Sequence, residues 1–190
     1  MRKNFLTAVW FTLVTTVICG LVYPLVVTGL SQVLFPGKAN GQLIERNGKV
    51  VGSRIIGQNF TGPGYFHSRP SGAGTGYDPS SSGSTNLGPT NKALIDRVKA
   101  DVDKAQAENP SVPVPIDLVT MSGSGLDPDI SPASAEFQIP RVAQERHVSA
   151  EELRALIAKH TESKQLGFLG EPRVNVLELN LGLDTLHSLR

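Results

Sequence analysis

From Asn4 to Gly37 the chain carries no charged residue, and FLTAVWFTLVTTVICGLVYPLVVTGLSQVLF within that window is apolar apart from scattered threonines. A helix needs about 20 such residues to cross the hydrocarbon core of a bilayer. A cleaved signal peptide also begins with a short basic stretch such as Arg2-Lys3. This apolar run, however, exceeds the usual length of about 7–15 residues, and no Ala-x-Ala-like site closes it. The pattern therefore predicts an uncleaved transmembrane helix over residues 1–36 and a soluble domain over 37–190. Arg2, Lys3 and the α-amino group favour a cytoplasmic N-terminus, but Lys38, Arg46 and Lys49 count the other way, so charge leaves the orientation open.

Inside the span, Thr12, Thr16, Gly20, Pro24, Thr28 and Gln32 recur every four residues as one small and polar stripe. Lipid offers no hydrophobic reason to bury threonine, whereas small residues let a second helix approach and hydroxyls bond across the gap. Threonines that bond only their own backbone are the simpler alternative. The stripe points to a membrane partner, and Pro24 is expected to kink the helix.

Beyond the span the hydrophobic period changes. In QLIERNGKVVGS, Asn47-Gly48 sits between two apolar runs, the signature of a type I′ hairpin, and SRIIGQNF is expected to continue extended. After a Gly/Ser-rich stretch, Thr90 or Asn91 caps a helix through KALIDRVKADVDKAQAE, with Leu94, Ile95, Val98, Val102 and Ala105 on one face and Asn109-Pro110 at its end. VPVPIDLVT reads as a linker into a short buried strand, and MSGSGLDPD as a tight loop. Ser131 caps a further helix with Pro132 at its first position, and Pro140 should kink or split it. HVSAEELRALIAKH is a strong helix with Leu153, Leu156 and Ile157 inward. RVNVLELNL alternates like a strand, although helical spacing fits almost as well, and LDTLHSL closes the chain as a helical turn. The fold class is α+β: one transmembrane helix, then a single small mixed domain with a hairpin and about three helices.

Composition narrows the function. Without Arg2 and Lys3 the chain has 16 basic and 17 acidic residues, which gives no basic stripe for nucleic acid. The single cysteine, Cys19, lies in the span, so the soluble part has no thiol chemistry. Gly83 to Thr90 has glycine spacing like a phosphate-binding loop, but Pro89 stands where the lysine is needed and removes a backbone N–H. His67, Ser68 and Arg69 lie beside Tyr65 and Phe66. Neighbours in an extended chain point to opposite sides, so adjacency makes no catalytic dyad. Neither Ser122 nor Ser124 has the glycine frame of a nucleophile elbow. Asp127-Pro-Asp129 lacks the glycine and glutamate of a calcium loop. The four histidines (67, 147, 160 and 187) show no paired metal spacing. No catalytic residues and no metal site are assigned. Tyr65, Phe66, His67, Arg69, Asn86, Asn91, Ser122, Ser124 and Asp127 remain as candidate functional-loop residues, because a true linker has no need of such aromatics. The stretch from Tyr65 to Asn91 is read as an ordered, irregular loop.

Taken in order, GQNF-TGPGYFHSRPS, SSGSTNLGPTN, VPIDLVTMSGSGLDPDISP, IPRVA and GEPRVNVLELNLGLD resemble the C subunit of the Kdp potassium-transporting P-type ATPase. Tyr23-Pro24 and the Phe35-Pro36…Ala39-Asn40-Gly41 exit extend the resemblance over nearly the whole chain. The resemblance implies a non-catalytic accessory subunit, single-pass in the cytoplasmic (inner) membrane, with its N-terminus in the cytoplasm and its soluble domain outside. Its implied partners are a channel-like potassium-binding subunit, a P-type ATPase subunit and a small membrane peptide. ATP, Mg²⁺ and potassium would then be used by the complex and not held by this chain. The family has also been viewed as a catalytic chaperone for ATP binding through a Leu-Ser-x-x-Gln-like stretch. Here that stretch is Val148-Ser149-Ala150-Glu151-Glu152. Glu152 would repel phosphate, and Ser149 with Glu152 reads more simply as a capping box. From another class, a membrane-anchored hydrolase using His67 and a loop serine is the alternative.

Overall fold

A computed structural model describes residues 1–186. The predicted closing turn is seen as far as Leu186; its remainder, with His187, lies outside the described residues. The chain forms two compact units, Met1–Val51 and Gly52–Arg190.

In the first unit, α1 (Arg2–Val17), a widened π turn (Ile18–Val22) and α2 (Tyr23–Leu34) make one helix of 33 residues, long and apolar enough to cross a membrane. The π turn explains how Pro24 is tolerated. A proline ring collides with the carbonyl four residues back, which here belongs to Gly20. The backbone instead bonds from Tyr23 N–H to the Ile18 carbonyl, five residues back, just ahead of the proline. The expected distortion thus takes the form of a local widening. A one-turn helix α3 (Pro36–Ala39) follows. The hairpin β1 (Leu43–Arg46) and β2 (Lys49–Ser53) turns at Asn47 (φ 54°) and Gly48 (φ 73°), both left-handed as a type I′ turn demands.

The second unit is built on a small antiparallel sheet of order β3-β5-β4, with β3 at Asp129–Ile130, β4 at Thr161–Glu162 and β5 at Arg173–Asn175. Val174 at its centre faces Ile130 on one side and Thr161 on the other. Helices α5 (Pro132–Arg146), α6 (Ala150–His160) and α7 (Val176–Leu186) pack round it. Val142, Leu153, Val174, Leu179 and Leu183 are almost wholly buried in this core, and Phe66 joins them from the loop. Leu153, Leu156 and Ile157 are inward as their spacing predicts.

Several local expectations need correction. RVNVLELNL is strand only to Asn175. The Asn175 side chain then accepts a hydrogen bond from Glu178 N–H (3.1 Å) and starts α7, a fourth long helix. Ile116–Leu118 is a single 3₁₀ turn and not a buried strand, because the Thr120 hydroxyl and Val119 N–H both bond back to the Ile116 carbonyl. The chain after Ser53 does not run on extended: Ile56 N–H bonds to Ser53 O and turns it. Pro140 does not split α5, whose flanking Phe137, Ile139 and Val142 are all held in the interior. Helix α4 (Lys92–Glu108) forms and is capped by Asn91, yet none of its residues is fully buried, and Ile95 on its apolar face is 53% exposed. The amphipathic period was sound, but the domain covers that face only in part.

Candidate functional site

The candidate residues gather where the chain from Asn59 to Tyr77 lies across α5 and α7. This segment has no strand partner, so its backbone groups must find hydrogen bonds elsewhere. Two carboxamides supply them. The Asn180 side chain accepts from Phe66 N–H and donates to Phe66 O, both at 2.9 Å. The Gln138 side chain does the same for the next residue, accepting from His67 N–H (2.7 Å) and donating to His67 O (3.0 Å). One amide comes from α7 and the other from α5, so the two helices grip consecutive peptide units as neighbouring strands would.

Arginines hold the preceding turn. Arg141 donates to the carbonyls of Pro63 and Tyr65 and pairs with Glu108 (3.2 Å). Arg146, whose side chain is 1% exposed, donates to Gly64 O (2.7 Å) and pairs with Asp184 (2.8 Å). Its guanidinium also lies 4.5 Å from the Tyr65 ring centre, and the Tyr65 hydroxyl donates to the same Asp184 carboxylate (3.2 Å). Phe66 drops into the core at 0% exposure. The His67 ring bonds the Gly62 carbonyl through Nε2 (3.0 Å), while the Ser68 hydroxyl donates to Gln58 O (3.3 Å). Those two side chains diverge, and neither is set up to activate the other. Burial, aided by the positive charge of Arg141, lowers the pKa of His67 and keeps it neutral.

Further along, Arg69 joins this segment to the tight loop around Ser122–Asp127. It pairs with Asp127 (2.8 Å) and donates to the carbonyls of Thr120 and Met121. The Tyr77 hydroxyl donates to Arg69 O, and Ser71 donates to Gly125 O (2.6 Å). Gly125 has φ +67°, and a Cβ there would sit 2.5 Å from the Gly83 carbonyl, so no other residue fits without a shift. Ser124 receives Leu126 N–H on its hydroxyl and Gly83 N–H on its carbonyl, and Ser122 lies 3.4 Å from it. These serines fold a loop. Asp129 is held by Arg173 (3.0 Å) and Asn175; burial raises its pKa, and Arg173 opposes the rise.

The remaining candidates lie apart. Asn91 caps α4 through Ala93 N–H (2.9 Å), and Asn86 is an exposed residue at φ +52°. Ser149 and Glu152 form a complete capping box: the serine hydroxyl accepts from Glu152 N–H (3.2 Å), and the glutamate accepts from Ser149 N–H (3.0 Å). On the helix of the first unit, Gln32 exchanges amide hydrogen bonds with Asn40 (3.1 and 3.2 Å). Thr12, Thr16, Gly20, Pro24 and Thr28 are all exposed.

A cavity of about 370 Å³ opens between the clamped segment and α4, with His67, Arg69, Tyr77, Asp101, Lys104 and Glu108 among its walls. Its walls also include Ser68, but the His67 ring and the Ser68 hydroxyl bond Gly62 O and Gln58 O and not each other. Among the described residues no group of three His, Cys, Asp or Glu could hold a metal ion. The sequence reading missed Gln138, Arg141, Arg146, Asn180 and Asp184, the residues that do the gripping. One signal was available: Asn180 interrupts the apolar run VLELNLGL, and a polar side chain in such a run must find a buried partner.

The chain thus combines a helix long and apolar enough to cross a membrane with a small α+β domain whose buried carboxamides and arginines hold its own loop. The comparisons name the family. The model of KdpC, the K⁺-transporting ATPase c chain, matches residues 5–185. The potassium-transporting ATPase KdpC subunit of Koribacter versatilis is 65% identical over 184 residues, covering 97% of this chain and 95% of that one. Subunits of the same name from Acidobacterium capsulatum and Methylobacterium nodulans are 57% and 55% identical, over 95% and 98% of this chain and 97% and 96% of theirs. The chain belongs to the KdpC family of potassium-transporting ATPase subunits. Nothing in these matches supports the hydrolase alternative.

Proposed function

We propose that this protein is the non-catalytic accessory subunit that assembles and stabilises an ATP-driven potassium pump and covers its extracytoplasmic ion entrance. The observation that carries this reading is how the polar groups of the Asn59–Tyr77 segment are used. Backbone, arginines and carboxamides bond one another across α5 and α7, which produces a rigid surface and leaves no reactive constellation. The channel-like subunit is the proposed neighbour of the Thr12–Gln32 stripe, with the P-type ATPase subunit and the small membrane peptide completing the complex. The soluble domain lies outside the cytoplasmic membrane and the N-terminus inside.

ATP, Mg²⁺ and potassium are ligands of the complex in this proposal, and this chain binds none of them. Direct contact with nucleotide through Ser149 and Glu152 is disfavoured because each group already bonds the other's backbone. A further reading, that Asp78, Asp127 and Asp129 raise the local potassium concentration, is disfavoured for the last two, each paired with an arginine, while Asp78 accepts two hydrogen bonds from Ser80.

Two measurements test the proposal. With Cys19→Ser removing the only cysteine and Ser81→Cys adding one on the domain, a membrane-impermeant maleimide should label intact cells. Labelling only after lysis would reverse the topology. Mild-detergent purification of the tagged chain from potassium-starved membranes should bring a P-type ATPase and a channel-like protein in equal amounts. Recovery of the chain alone, folded and monodisperse, would refute the assembly role.

A further inference from the structure

The turn from Lys164 to Gly170 is the place where the second unit is least favourable to itself. Gln165 and Leu169 exchange both backbone hydrogen bonds at 2.9 Å, and Gly167 N–H bonds Lys164 O (3.1 Å). Lys164 and Glu171 close the base as an ion pair at 3.2 Å. On this rigid tip stand Leu166, Phe168 and Leu169, at 83%, 71% and 48% exposure. Leu166 also has φ +53°, a left-handed conformation that a bulky side chain rarely adopts. Single exposed apolar residues are ordinary. Three on one braced turn, one of them strained, are disfavoured by solvation and by conformation alike. Within the described chain these side chains stay largely in solvent, an arrangement that a contact outside the chain would relieve.

We propose that this turn inserts into the interfacial zone of a lipid bilayer, with Leu166, Phe168 and Leu169 as the inserted side chains. As a contact standing apart from the rest of the domain's surface, the tip has a size that suits lipid. A stable protein interface takes roughly 800 Å² from each side, more than one three-residue tip supplies, whereas a lipid interface accepts a few apolar side chains at a time. Connectivity supplies the rest: only residues 35–51 separate the end of the candidate span from the second unit. That tether bounds the distance between the second unit and the membrane, which raises the effective concentration for a weak lipid contact. The Lys164–Glu171 pair leaves the base of the turn neutral, so the contact needs no anionic headgroup and should resist salt.

The test uses the full chain reconstituted in phosphatidylcholine bilayers. Trp10 is the sole tryptophan, so Trp10→Phe with Phe168→Trp places one fluorophore at the tip. Acyl-chain-brominated phosphatidylcholine should quench it severalfold, with blue-shifted emission that high salt leaves unchanged. Leu166→Asp in that background should remove most of the quenching. A fluorophore placed instead by Asp103→Trp, on the exposed side of α4, should stay unquenched. Emission at position 168 that is unquenched by lipid and open to iodide overturns the proposal. Protection from iodide that appears only with the other pump subunits present, without lipid quenching, also overturns it and assigns the tip to a protein contact. The readout does not depend on the role proposed for the subunit in the pump.

Discussion

Between Gly62 and Tyr77 the backbone is gripped by side chains from α5 and α7, whereas between Thr85 and Thr90 it lies largely exposed, with a lone backbone bond from Asn91 to Gly88 at its end. Both segments are rich in glycine, serine and proline, so composition does not separate them. The difference lies in what else they carry. The first contains Tyr65, Phe66, His67, Arg69 and Tyr77, each buried or half-buried; the second offers only Leu87, half-buried. A glycine-rich loop becomes ordered when it contributes side chains to the core and when the core returns polar groups to its backbone. Without those two exchanges, the same residues remain a surface connection.

Removing the anchor should break this contrast most severely. Phe66→Ala leaves a cavity at a fully buried aromatic site and should cost about 3–5 kcal/mol in denaturant unfolding of the detergent-solubilised chain. A loss below about 1 kcal/mol would mean that the loop is not part of the core. Asn180→Ala strips both partners from Phe66 N–H and O in a buried setting. At about 1–3 kcal/mol for each of the two orphaned groups, it should destabilise by roughly 2–6 kcal/mol and expose the peptide bonds around Phe66 to protease.

Acid should loosen the clamped half. His67 and His160 both have pKa values lowered from the ordinary imidazole value, in each case first by burial. Arg141 and Lys104 oppose protonation of His67 against Glu108, and Lys159 opposes that of His160 against Glu178. The unfolded chain therefore takes up these protons first as pH falls. The stabilisation is complete above about 6.5, the reference imidazole value, and drains away below it toward the folded-state values. Unfolding midpoints should fall across that window, and His67→Gln should flatten the slope; an unchanged slope would remove His67 from the account.

At the capping box, Glu152→Ala should cost about 1 kcal/mol while leaving the ATP dependence of the assembled pump unchanged. A shifted ATP dependence would revive the nucleotide-contact reading. Smallest of all, Asn86→Gly in the exposed half should change stability by no more than about 0.5 kcal/mol, since glycine accepts the positive φ found there. Limited proteolysis should likewise cut near residues 85–90 before it cuts anywhere between Gly62 and Tyr77.

Local physics made much of this molecule legible in its sequence. The uncharged run predicts the span, Asn47-Gly48 the hairpin turn, Thr90 or Asn91, Ser131 and Ser149 the helix starts, and Leu153, Leu156 and Ile157 a buried face. Apart from the span, which its own long apolar run sets, each depends on near neighbours along the chain, as caps, turns and amphipathic periods do. The order of unusual strings also carried the family resemblance. Tertiary structure decided what depends on distant partners. Asn175 ends β5 and starts α7 because its side chain caps Glu178 N–H while its amide bonds Arg54 O, 121 residues away in sequence, and Asp129. The face of α4 is left partly open because the domain does not extend over it. Asn180 and Gln138 meet Phe66 and His67 across 114 and 71 residues of chain. No periodicity encodes such a meeting; it exists only once the core has folded and the buried peptide groups of the loop must be satisfied.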